Sequence, residues 1–320
     1  MKKFLWAGLI GLAAACGRNT FEVDGTYTAP DGTRVYLIDL EKKDTLGTTE
    51  VKGNAFTFEG EAKEPFYAYV GKGRERVRFI LEPGKVAVDL DERTAGGSPM
   101  TDTYNAFHRR FYALDDAAAA LLADSLVRVH PDDLVGALAM EDLSGVDTAA
   151  FNALYPETGS AVREFSAVES AHAAIEASAR TRPGQPFSDY LIPGGNPDGT
   201  DVRLSDYIGK GKFILLDHWA SWCGPCKREM PYVKKVYETF KGDRFDVVGI
   251  AVSDKREDSV RAVAEWELPW TQILDAQRLP REYYGIAFIP HIILFGPDGT
   301  ILARGLRGED IYEAVRQALQ

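Results

Sequence analysis

Chemistry in this chain of 320 residues concentrates in one stretch, HWASWCGPCKREMP, residues 218–231. It holds Cys223 and Cys226, two of the chain's three cysteines; the third, Cys16, lies near the N-terminus. Two cysteines separated by two residues suit a structural disulfide, half of a metal site, or a dithiol that opens and closes. A zinc site needs four ligands, commonly a second Cys-x-x-Cys pair or two closely spaced histidines. No second pair exists, and the five histidines (His108, His130, His172, His218, His291) lack that spacing, so no metal is expected. A structural staple is disfavoured as well. Closing so short a loop removes little unfolded-state entropy, and a chain of this length can stabilise itself by burial. Redox chemistry remains, provided the flanks hold the pair where thiols react.

Upstream, FILLDHWA (213–220) is a short apolar run that reads as a buried strand. Downstream, Met230, Val233, Val236, Tyr237 and Phe240 recur at three- and four-residue spacing, one face of a helix. Cys223 therefore sits at a strand-to-helix junction, where unpaired N–H groups and the helix dipole favour an anion. Such placement lowers a cysteine pKa from about 8.5 to about 7 or below, and the thiolate is the attacking species. Cys226 lies one turn on, within reach to resolve a mixed disulfide. Pro225 presets φ in the first turn, where its missing N–H costs little.

WCGPC after LLDHWA, with Pro231 five residues beyond Cys226, resembles the thioredoxin superfamily. WASWCGPCKREMP resembles more narrowly its TlpA/ResA branch of exported, membrane-tethered thiol–disulfide oxidoreductases. The resemblance spans roughly residues 183–320 and includes PGQPFSDYLIP, LSDYIGKGKFILL and YGIAFIPHIILFGPDGTILARGLRG. It implies that Pro290 is cis and that Ile289 offers its backbone to a substrate strand. From the residues alone, Pro290 could equally be a trans proline at a strand edge. Trp222, Gly224, Pro225, Ile289 and Pro290 are the residues expected to meet substrate.

Asp217 interrupts an apolar strand six residues before Cys223. A buried, unpaired carboxyl is costly and its pKa rises, which suits it to accept the Cys226 proton near neutral pH. The matching aspartate of thioredoxins is assigned that role; a hydrogen-bonded structural acid is the alternative. Glu229 matches the acid of the ResA-type CKxExP pattern, thought to tune the pair, although helix spacing alone would also allow a solvated surface residue. His218 alternates with Asp217 and should face the opposite side of the sheet as a packing residue. Trp219 reads as core and Trp222 as a shield for the site, and His291 is given no role.

The rest of this region alternates strands and helices: FDVVGIAV (245–252), SVRAVAEW (259–266), HIILF (291–295), TILARGL (300–306) and the closing DIYEAVRQAL. An α/β thioredoxin-like domain follows, a central mixed sheet flanked by helices, over 183–320. GGNPDGT (194–200) lacks the Lys-Ser/Thr ending of a phosphate loop and reads as a turn.

At the N-terminus, MKK, FLWAGLIGL and AAAC read as a basic start, a short apolar core and a small-residue cut site, a signal peptide over 1–16. AAAC resembles a bacterial lipobox, which implies lipidation of Cys16 as the mature first residue. Ala13 departs from the leucine usual at that place. Residues 21–100 carry strand signals (RVYLIDL, AFTFEGEA, PFYAYVG, RVRFILEPG, KVAVDLDE) and form an all-β module that resembles DUF4369-type domains. Residues 101–182 turn Ala-rich and helical, with Val162, Phe165, Val168, His172 and Ile175 as an expected stripe, and TRPGQP marks their end.

The formal net charge is −11; residues 101–182 hold 6 Lys/Arg against 13 Asp/Glu, and 183–320 hold 17 against 20. No basic patch suits nucleic acid. The expectation is a lipid-anchored, periplasm-facing enzyme of the bacterial cell envelope. It would reduce protein disulfides through Cys223 and Cys226 with no bound cofactor, and a membrane thiol donor would restore it. The alternatives are a disulfide oxidase or isomerase, or a binding protein that uses the β module and keeps the redox fold as scaffold.

Overall fold

Alternation of apolar and polar residues builds the first part of the chain. The computed structural model describes residues 19–320; Cys16 and the expected signal peptide lie outside the described residues. Eight strands come first: β1 (Thr20–Thr26), β2 (Arg34–Asp39), β3 (Asp44–Glu50), β4 (Ala55–Glu61), β5 (Phe66–Lys72), β6 (Glu75–Leu81), β7 (Gly84–Asp89) and β8 (Thr94–Gly96). They form two four-stranded sheets, ordered β4-β1-β7-β8 and β3-β2-β5-β6. Val23, Leu37, Phe58, Val70, Phe79 and Val86 belong to one shared core.

Three of these strands are absent from the sequence reading, and each has a reason. In β1 the inward position after Phe21 and Val23 is Gly25, where a Cβ would lie 1.9 Å from the Phe56 ring. β3 is an edge strand with no buried residue, so it shows no apolar alternation. β8 has only three residues.

Helices follow: α1 (Pro99–Phe111), α2 (Asp116–Val129), α3 (Leu134–Val146), α4 (Thr148–Leu154), α5 (Ser160–Arg163) and α6 (Ser166–Arg180). Asp115, Asp133 and Asp147 cap the starts of α2, α3 and α4 by accepting from first-turn N–H groups. The expected stripe needs correction. The helix breaks between α5 and α6, and the buried face of α6 is Val168, Ala171, Ala174 and Ala177, while His172 and Ile175 are only half-buried. Alanine lets the backbone approach closely, a signal that a search for large apolar residues passes over. The chain divides inside α6 into two compact units, one ending at Glu169 and one formed by Ser170–Gln320.

The second unit contains the hairpin β9 (Leu191–Ile192) and β10 (Val202–Arg203), joined through GGNPDGT. Then come β11 (Phe213–Trp219), α7 (Gly224–Phe240), β12 (Phe245–Ala251), α8 (Arg256–Glu265), β13 (Thr271–Ile273), α9 (Leu279–Tyr284), β14 (His291–Phe295), β15 (Ile301–Leu306) and α10 (Glu309–Ala318). The five-stranded sheet runs β13-β12-β11-β14-β15. β11 pairs parallel with β12 and antiparallel with β14, so the sheet is mixed and β11 is central. Its alternate residues feed two cores. Leu215 and Trp219 join Met230 and Val233 of α7 and Ile311 of α10, while Ile214 and Leu216 join Tyr190, Tyr284 and Ile301 on the other side.

Candidate active site

The end of β11 and the start of α7 hold the cysteines, now joined as a disulfide with S–S 2.01 Å. Cys223 is the N-cap of α7, and its Sγ accepts from the Cys226 N–H at 3.1 Å. An anion formed at that sulfur would meet an N–H group and the positive end of a 17-residue helix. Cys226 has no exposed surface and Cys223 keeps 3%. That small opening decides which sulfur a substrate can meet first.

The Ile289–Pro290 peptide is cis. The Ile289 carbonyl lies 3.8 Å from Cys223 Sγ, a contact, since a disulfide sulfur has no proton to donate. Arg307, just after β15, donates to the Pro290 carbonyl and to the Leu306 carbonyl. The segment facing the sulfur is therefore tied to the end of β15.

Asp217 shares the β11 face of Leu215 and Trp219, toward α7. It is 1% exposed, and neither carboxylate oxygen has a hydrogen-bond partner. Burial raises its carboxyl to about 7; Arg307 opposes the rise and Glu229 adds to it. Glu229 is half-buried and accepts from the Gly308 N–H at 2.9 Å, so it is not the solvated surface residue that helix spacing would allow. Asp217, Glu229 and Arg307 form one electrostatic group.

His218 points into the opposite core, fully buried, with Nδ1 2.8 Å from the His291 carbonyl. Burial lowers it to about 4, and His291, half-buried, is lowered to about 3 by desolvation and by neighbouring His218, Arg304 and Arg307. Both are neutral at physiological pH. Trp219 is core, its indole donating to Gln272 Oε1 at 3.0 Å. Gln272 fits because its neighbour across the sheet is Gly249, where a Cβ would lie 2.2 Å from Oε1. Trp222 is 63% exposed and donates to the Ser253 carbonyl, which a left-handed backbone (φ 49°) turns toward it. Gly224 and Pro225 are exposed in the first turn of α7.

Several contributors escaped the sequence reading. Asp254 accepts from the Ser221 N–H at 2.6 Å and from its hydroxyl at 2.9 Å, fixing the loop ahead of the cysteines. Arg307 was legible only as part of the quoted ARGLRG segment; nothing in it said which backbone the guanidinium would reach. Among the described residues no group of three or more potential metal ligands occurs, and no helix is long and apolar enough to cross a membrane.

Residues 183–304 match the AhpC/TSA family, and residues 21–104 match a domain of unknown function, DUF4369. Thiol-disulfide oxidoreductase ResA of Geobacillus thermodenitrificans is 28% identical over 137 residues, 43% of this chain and 76% of that protein. The Bacillus subtilis ResA is 30% identical over 105 residues, 33% of this chain and 58% of that protein. The crystal structure of the thioredoxin domain of a Bacteroides vulgatus thiol-disulfide oxidoreductase is 34% identical, covering 43% of this chain and 98% of that one with a TM-score of 0.39. The chain thus carries an AhpC/TSA domain that holds the cysteine pair, preceded by a DUF4369 domain, and over the former it is similar to ResA-type thiol–disulfide oxidoreductases.

Proposed function

We propose that this protein reduces disulfides in polypeptides of the bacterial cell envelope, with Cys223 as nucleophile and Cys226 as resolving thiol. The observation that carries the reading is the placement of the pair: a sulfur at a helix N-terminus, facing the Ile289 carbonyl, after a strand that carries a buried carboxyl held at about 7. In the reduced protein, Cys223 thiolate attacks one sulfur of the substrate disulfide and expels the other as a thiolate. A mixed disulfide links Cys223 to substrate. Cys226 gives its proton to Asp217, attacks Cys223 Sγ and releases the second substrate thiolate. Two electrons pass to the substrate, and the Cys223–Cys226 disulfide remains.

Ile289 would receive the substrate backbone, with Trp222, Gly224, Pro225 and Pro290 around it. Glu229 and Arg307 would set the charge on Asp217. A membrane thiol donor would return the disulfide to the dithiol with no bound cofactor. Anchoring through a lipid on Cys16 would hold the enzyme outside the cytoplasm. The Gly-Pro dipeptide supports reduction over oxidation, since thioredoxin poises near about −270 mV and the oxidant DsbA near about −120 mV. Insulin reduction with dithiothreitol as donor tests the reading: wild type should accelerate precipitation and Cys223→Ser should not. Equal rates for both would remove the catalytic role.

A further inference from the structure

Beside the disulfide lies an open groove of about 340 Å³ that includes Trp222 and Ile289 and extends past them to Phe288, Arg278 and Arg281, which the chemistry above does not use. Its apolar wall includes Trp222, Val252, Ile286 and Phe288. Phe288 is 81% exposed and Trp222 63%, so two large aromatic faces meet water, one beside Cys223 in the chain and one beside Ile289, whose carbonyl faces the sulfur. Exposed aromatic surface of this kind is the usual anchor of a binding site.

The groove also carries two cations, Arg278 and Arg281. Elsewhere in this chain of net charge −11 several arginines are paired with carboxylates: Arg128 with Asp124 and Glu157, Arg203 with Asp189 and Arg316 with Glu313. Among the described residues neither Arg278 nor Arg281 has a salt bridge or a side-chain hydrogen bond, and Arg281 Nε is buried without a partner. A buried guanidinium N–H left unpaired costs free energy that an incoming acceptor recovers. The acidic neighbours in sequence, Asp275 and Glu282, do not line the groove, and Asp275 is engaged by Gln277.

We infer that this groove selects substrates whose disulfide is flanked by an apolar side chain and a carboxylate: the apolar group packs on Phe288 and Trp222, and Arg278 and Arg281 bind the acid. The inference rests on the disulfide-reductase reading and names the substrate class for the same site. Charge complementarity carries it. The groove is the cationic, partnerless spot next to the sulfur, and an acidic peptide supplies what its two guanidinium groups lack.

The test uses full-length protein, pre-reduced, mixed with synthetic cyclic peptides that differ only in Leu-Glu, Leu-Gln or Leu-Lys beside one cysteine. Protein oxidation is followed by tryptophan emission. Wild type should react about tenfold faster with the Glu than with the Lys peptide, a few-fold per arginine, and high salt should shrink that ratio. Arg278→Gln/Arg281→Gln should bring the ratio near one, while Arg278→Lys/Arg281→Lys should keep much of it; circular dichroism checks that both variants fold. Equal wild-type rates for the Glu and Lys peptides would overturn the inference. So would sedimentation showing a dimer that dissociates in the Gln variant, since a second copy would then own the groove. Neutral 2-hydroxyethyl disulfide separates the two ideas. If wild type reduces it but shows no charge preference, the selectivity fails alone; if wild type reduces neither it nor any peptide, the reductase reading fails first.

Discussion

Replacing Asp217 by asparagine keeps the shape of a fully buried side chain and removes its ionisation. The carboxyl titrates at about 7 in the folded protein and near about 3.9 when unfolded. Below about pH 4 both states hold the proton and the residue has no effect on the pH dependence of stability. Between about pH 4 and 7 only the unfolded chain loses the proton, so stability falls as pH rises; above about 7 both states are ionised and the loss is complete. Three pH steps at about 1.36 kcal/mol each set the loss at about 4 kcal/mol. Asp217→Asn has no such loss, so its stability relative to wild type should grow by about that amount between pH 4 and 8. Urea unfolding of the oxidised proteins measures it. Trp219, Trp222, Trp266 and Trp270 all lie in the second unit and report its unfolding. Wild-type and variant curves that stay parallel within about 1 kcal/mol would refute the argument, because an acid already ionised at pH 4 could not receive a proton near neutrality. In turnover the same variant should slow the Cys226 step around pH 7 and leave the first attack by Cys223 intact. A defect confined to the first attack would remove Asp217 from resolution.

In the reduced protein, Cys223 should alkylate far faster than Cys226, since only Cys223 keeps any exposed surface and stands at the helix end; mass spectrometry after brief iodoacetamide treatment reads the order, and a faster Cys226 would reverse the roles. Titration in glutathione buffers should give a reduction potential below about −220 mV, whereas a value near about −120 mV would mean that the enzyme makes disulfides. Glu229→Gln should lower the pH at which Asp217 ionises and Arg307→Gln should raise it, because Glu229 raises and Arg307 lowers that carboxyl. The infrared band of the protonated acid, identified by its loss in Asp217→Asn, follows both shifts; movement in the same direction would break the electrostatic argument.

Local signals read the redox unit well because β11, β12 and β14 are buried on both faces and its key helix has Cys223 as N-cap with Pro225 in the first turn. The reading of β11, β12, β14 and β15 lands within a residue or two of each strand. Asp217 was legible for the same reason: a carboxyl amid Phe213–Trp219 has nowhere exposed to go. What escaped has no local signature. β13 has three residues, and its role is to bring Gln272 under Trp219. Gly285 caps α9 at φ 64° where a Cβ would lie 2.1 Å from the Ala174 carbonyl, a contact across 111 positions that no window detects. The aromatic groove was equally hidden, since Trp222 and Phe288 come from different crossings of the sheet.

Arg307 shows why the site needs the fold rather than the motif. Its guanidinium holds the Pro290 carbonyl, one peptide from the Ile289 carbonyl that faces Cys223, and the same charge lowers the Asp217 carboxyl. Glu229, three residues after Cys226, is fixed by the Gly308 N–H, the residue next to Arg307. The β15-to-α10 turn therefore touches both halves of the proposed chemistry: the backbone that would receive substrate and the acid that would take the Cys226 proton. A substrate strand that pulled the Ile289 carbonyl toward itself would strain the Arg307 contact at the neighbouring peptide. Drawing the guanidinium away from Asp217 would then raise the carboxyl above about 7, leaving less of it ionised at neutral pH and making the ionised fraction a stronger base. On the proposed mechanism, docking at Ile289 and proton acceptance by Asp217 would therefore be coupled through one arginine.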